Sequence, residues 1–327
     1  MQRRLKSFGI FFLAGVFSLA LVVAPSLGAI VTWTGGTGNW TTSSNWSNNA
    51  VPGAGNNYGI NNDGTATIDS VVPDISDLGL GWPTGNTRSG HVEIQAGGSL
   101  TTTSTDGVDV GVRGGTSNMS SLNITGGALN ITGFGHLVMG DEAGSHGTVE
   151  ISSGSIAVSG NMRIGIQGEG NFVIHGNSPT INVAGNLTFH ENGSAFSRLI
   201  LDIGAGGISP IQVAGNTTLD NNPELLVSLS ALAPLSDLVL VDSSPTSSVI
   251  LSTTFFGLAD GAPVSATLGL TTYNWTIDYG YGIDNNDIAL VFVSVETVPE
   301  PGTATLGAFG LLALGCVARR WRRTMGG

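Results

Sequence analysis

The amino-acid sequence predicts an all-β chain whose body is a right-handed parallel β-helix, and three observations carry that reading. First, one pattern recurs: HVEIQAGGSL from His91, SLNITGGALNITG from Ser121, TVEISSGSIAVSG from Thr148, NFVIHGNSPTINVAG from Asn171 and RLILDIGAGGISPIQVAG from Arg198. Second, each copy opens with strict apolar alternation (Val92 and Ile94, Leu122 and Ile124, Val149 and Ile151, Phe172 and Ile174, Leu199 and Leu201). That is the period of a strand with one face buried. Third, another short alternating strand follows a glycine in every copy: Val108 and Val110, Leu137 and Met139, Met162 and Ile164, Leu187 and Phe189, Thr217 and Leu219. Three short strands in a unit of about 25 residues form one coil of a solenoid, whose inward residues stack on those of the next coil. A β-sandwich of hairpins is the alternative that the same alternation allows.

The elements follow in order. Residues 1–29 have the layout of a secretory signal peptide: basic Arg3, Arg4 and Lys6, an apolar run from Phe8 to Ala24, then small residues with cleavage expected after Ala29. Residues 30–90 are rich in Trp, Gly and Asn, and we assign Trp33, Trp40 and Trp46 to a cap over the open end of the coils. A sugar-stacking platform is the functional alternative for these rings. Residues 91–222 hold the repeats. Residues 223–297 have longer apolar runs and still alternate (Trp275 with Ile277, Ile288 with Leu290), which predicts a small β-domain or closing cap. Residues 298–323 contain Pro299, Glu300 and Pro301, an apolar stretch from Gly302 to Val317, and a basic stop made of Arg319, Arg320, Arg322 and Arg323. Sixteen or seventeen apolar residues at about 1.5 Å each are marginally long enough for one transmembrane helix, with the arginines cytoplasmic and the body outside.

Charge and cysteine narrow the function. Between Ala29 and Val298 four arginines face 22 of the 23 acids, a formal charge of −18, with no lysine. Such a surface repels nucleic acid, so a DNA- or RNA-binding role is excluded. The one cysteine, Cys316, lies in the apolar tail, so the body has neither a disulfide nor a thiolate metal site.

The tail as a whole resembles the PEP-CTERM sorting domain, in which a Pro-Glu-Pro motif, a hydrophobic helix and an Arg-rich end occur in that order. The resemblance implies processing by an exosortase, with Pro299, Glu300 and Pro301 as the recognised motif and the chain as substrate. It also implies bacteria that make exopolysaccharide. The segment WTGGTGNW from Trp33, and the closing strands with Phe255, Phe256, Gly257 and the NNDIAL stretch, resemble autotransporter-like passenger proteins of the β-helix type.

Chemistry is sparse in the sequence. Two carboxylate pairs qualify for glycoside hydrolysis, Asp106 with Asp109 and Asp141 with Glu142; the first is expected on a solvent face and the second in a turn, both as solvated charge. Lyase chemistry on uronates calls for basic groups, and the body offers only Arg88, Arg113, Arg163 and Arg198. His91, His136, His146, His175 and His190 form no metal-binding motif. Asp284 and Asp287 are a weak calcium candidate in a polar turn. No nucleophile elbow, phosphate loop or zinc-protease motif occurs, and no cofactor is expected. The expectation is a non-enzymatic envelope or matrix protein, exported through the Sec translocon, processed by an exosortase and associated with exopolysaccharide. A polysaccharide-binding or polysaccharide-degrading β-helix is the alternative.

Overall fold

The computed structural model describes residues 29–82, 89–112, 119–189 and 196–297. The segment before Ala29 that the sequence reads as a signal peptide, the Pro299–Pro301 motif, the apolar run and the arginines after it lie outside the described residues, as do Arg88, Arg113 and His190.

The described chain winds into a β-solenoid of about seven turns. One side is a nine-stranded parallel sheet that starts at Ile30–Thr32 and ends at Val249–Leu251. Its middle rungs, Gly107–Val110, His136–Met139, Met162–Ile164, Leu187–Phe189 and Thr217–Leu219, are the third strands of the sequence repeat. The other two sides share a 15-stranded sheet. They are continuous where the long strands Met119–Ile131 and His146–Val158 turn the corner, and there the pairing register slips around Ser153. Gly154 sits at this bend with φ of +88°, and a Cβ there would lie 2.1 Å from the Gly127 carbonyl of the coil before. Only glycine satisfies both constraints.

Register turns the sequence alternation into a packed core. Ile68, Ile94, Ile124, Ile151, Ile174 and Leu201 are successive partners across the parallel ladder and are at most 1% exposed. Each such side chain contributes about 1.5–3 kcal/mol through burial. The continuous parallel ladder rules out the sandwich, which requires hairpins.

A second ladder fixes one corner. Asn161, Asn186 and Asn216 occupy equivalent places in the repeated SGN and AGN triplets. The preceding glycines are required by closeness: a Cβ on Gly185 would meet the Gly160 carbonyl at 2.4 Å, and one on Gly215 the Gly185 carbonyl at 2.5 Å.

The coils extend beyond the 91–222 repeat on both sides. Asn57–Ile60 and Asp77–Leu80 are already parallel rungs, and Glu224–Leu229, Leu238–Ser243 and Val249–Leu251 complete a turn after Asn222. The early rungs escape a periodicity search because glycine replaces the outward side chain at Gly59 and Gly79, which are register partners.

Both ends of the core are closed by aromatics. At the start, Trp33, Trp40 and Trp46 are at most 2% exposed. Trp46 stands edge-on to Trp33, Trp40 and Tyr58 with centroids 5.0, 4.7 and 5.3 Å away, and its indole N–H donates to the Trp40 carbonyl at 2.9 Å. Rings this buried offer no face to a sugar, so the stacking-platform alternative for them fails. At the far end, Pro263–Leu268, Thr271–Tyr281 and Asp287–Thr297 form an antiparallel meander joined to Leu238–Ser243. Phe255 closes the core there, edge-on to Phe189 at 5.8 Å, and its N–H donates to the Tyr279 hydroxyl at 3.0 Å.

Candidate functional site

An acidic cleft lies on the outer face of the nine-stranded sheet, where three successive rungs each supply carboxylates. Asp77 opens its strand opposite Asn57. Asp109 lies on the next rung between Gly79 and Val138, with Asp106 in the turn just before its strand. Asp141 and Glu142 follow the His136–Met139 strand through Gly140, whose positive φ of 69° redirects the chain. The Gly140 N–H donates to the Val110 carbonyl at 2.9 Å and the Asp141 N–H to Gly111 at 3.1 Å, which ties this turn to the rung carrying Asp109.

Trp82 forms the aromatic wall, and Gly79 makes room for it: a Cβ at Gly79 would lie 2.9 Å from the Trp82 Cβ. The resulting cleft, about 270 Å³, is lined by Asn57, Trp82 and the carboxylates of Asp77, Asp106, Asp109, Asp141 and Glu142.

The electrostatics separate these acids. Burial, reinforced by Asp141, Asp106 and Asp77, pushes the Asp109 carboxyl up to about 8, with Arg163 opposing. Burial and Asp106 raise Asp77 to about 6, with a hydrogen bond from Ser104 opposing. Asp109 is therefore mostly protonated at neutral pH while Asp77, one rung away, is mostly ionised, a pairing of proton donor and acceptor of the kind that glycosidic cleavage requires.

The sequence reading takes Asp106 with Asp109 and Asp141 with Glu142 as two separate pairs of solvated charge; Asp106 is indeed exposed, whereas burial acts strongly on Asp109. Winding places both pairs on neighbouring rungs of one cleft. Asp77 and Trp82 were missed altogether, because the chain between them and the next unit obscures the register. The available signal was an acid at the start of the third strand of a unit, in DLGL from Asp77 and DGVDV from Asp106.

Other candidate residues are engaged in structural contacts. His175 bridges Glu150 at 2.7 Å and Asp202 at 3.1 Å. His146 meets Glu169 at 3.1 Å, and Arg198 is held by Glu169 and by Glu224, the latter at 2.6 Å. His91 faces the Ser121 hydroxyl at 2.9 Å, and the His136 Nδ1 accepts the Asn161 N–H at 2.9 Å. Asp287, of the calcium candidate pair, accepts the Ser243 N–H at 2.9 Å and so ties the turn to the solenoid, while Asp284 is exposed. Among the described residues no group of three His, Cys, Asp or Glu side chains is arranged to hold a metal ion, and no helix is long and apolar enough to cross a membrane. Ala29 stands exposed just ahead of the first strand, its carbonyl accepting the Asn57 N–H at 3.3 Å.

The last strand ends at Thr297, where the comparison with known families becomes informative. No curated protein and no solved structure matches the chain. Residues 297–323 match the PEP-CTERM protein-sorting motif. The chain is an exported β-solenoid protein that carries at its C-terminal end the sorting signal recognised by an exosortase.

Proposed function

We propose that the protein is a non-enzymatic component of the cell envelope or extracellular matrix. It is held in the membrane by the apolar segment from Gly302 to Val317 until an exosortase processes the tail, and it then associates with exopolysaccharide at the cell surface. The observation that supports this most directly is the sorting motif at 297–323, which starts on the last residue of the final strand of the antiparallel cap. Intact mass and membrane fractionation of the native protein, with and without Glu300→Ala, test it. The expected result is a wild-type chain lacking the apolar tail and a variant that keeps it in the membrane fraction. An uncut tail in both sinks the processing step.

A second reading, a carbohydrate-binding or carbohydrate-cleaving protein, is favoured by the convergence of five carboxylates with Trp82 in one cleft. The strongly acidic body favours neutral over anionic glycans as substrates. Glycan binding and reducing-end release by the wild type, both lost in Asp109→Asn, would establish this reading; neutral glycans that neither bind nor are cut would exclude it.

A further inference from the structure

We infer that one corner of the C-terminal cap is a lipid-contact surface that rests on the bilayer beside the sorting tail. Ten of the sixteen exposed large hydrophobic residues among the described ones lie between Leu226 and Val295, so the apolar surface is concentrated in the part of the chain that leads to the tail. Register narrows the place. Thr271 pairs with Thr297 and Tyr273 with Val295, which brings the tip of the Pro263–Leu268 and Thr271–Tyr281 hairpin level with the end of the final strand. Leu270 sits at that tip. The segment leading into Leu238–Ser243 runs beside the middle of the same strand, where the Asp237 carboxylate accepts the Phe292 N–H at 2.8 Å.

Leu270, Val293 and Val295 are 38–58% exposed there, and Leu232 and Leu235, in the segment before Asp237, are 59% and 63% exposed. Soluble proteins rarely leave large apolar side chains concentrated without a partner. The chain itself indicates which partner. Only four residues lie between Thr297 and Gly302, where the apolar run begins, so the tip stays within about 17 Å of the point where that run starts, five steps at ~3.4 Å each. A surface tethered so closely meets lipid before any soluble protein. The body's negative charge selects zwitterionic over anionic lipid.

This inference rests on the membrane-held state proposed above. The test uses the full chain with Cys316→Ser, a single label site at Val293→Cys or, as a remote control, Val51→Cys, an environment-sensitive fluorophore, and phosphatidylcholine vesicles that carry brominated lipid. The expected result is co-flotation with the vesicles, with blue-shifted and several-fold quenched emission at position 293 and unchanged emission at 51. Co-flotation with water-like emission at both positions overturns the lipid contact while leaving the anchor intact. Equal quenching at both positions also overturns it, because the contact is then not confined to this corner. Failure to float removes the anchor and the inference with it.

Discussion

The side-chain carbonyl of Asn186 accepts the backbone N–H of Asn216 one coil further on at 2.8 Å. Asn161 does the same for Asn186 at 2.9 Å, and Asn216 for Ser248 at 3.0 Å. One residue type at one corner thus pins successive coils to a common register. Asn186→Ala removes the acceptor while leaving the sheets intact. The expected cost is about 1 kcal/mol, the net worth of such a bond when water can replace it, measured by urea denaturation.

Thr217 faces inward on the nine-stranded sheet between Leu187 and Val249, and its hydroxyl is buried without a hydrogen-bond partner. Thr217→Val keeps the shape and removes the unpaired polar group. It should stabilise the fold by about 1 kcal/mol, seen as a higher urea midpoint at unchanged slope. A lower midpoint would mean that the hydroxyl has a partner in solution.

Gly154 combines a left-handed backbone with a close approach to the Gly127 carbonyl. Gly154→Ala should destabilise by about 2 kcal/mol or more, since the added methyl group meets backbone that must shift as well as an unfavourable φ. Hydrogen exchange should show the loss concentrated in the two long corner strands.

The Asp109 carboxyl gives a pH signature. Its folded value of about 8 lies above the ordinary 3.8, so the folded chain keeps a proton that the unfolded chain releases. Its contribution to stability is complete below about pH 3.8 and declines as pH rises towards 8. Asp109→Asn should match the wild type near the acid end and exceed it in stability above pH 8, leaving the smaller decline due to Asp77. Urea denaturation across this range measures the difference, and parallel curves would show that Asp109 ionises normally.

Much of the fold is legible in the residues themselves. Ile94, Ile124, Ile151 and Ile174 recur at equivalent places because each coil must present the same inward face, and Gly160, Gly185 and Gly215 recur because backbone passes too close for a Cβ. The tail is legible for a different reason: its motif, apolar run and arginines are read in linear order, so no folding is needed to interpret them. The cleft was not legible. Asp77, Asp109 and Asp141 are far apart in sequence, and only winding at one strand spacing per turn sets them on neighbouring rungs, where burial and mutual repulsion keep the Asp109 carboxyl protonated. The apolar corner at Leu270 and Val293 was hidden in the same way, because alternation tells which residues leave the strand's polar face but not whether another layer covers them. The sequence by itself therefore determined the coil and the address, both set by local spacing, while the tertiary structure decided which charges share a cleft and which apolar groups stay uncovered, both set by contacts between distant turns.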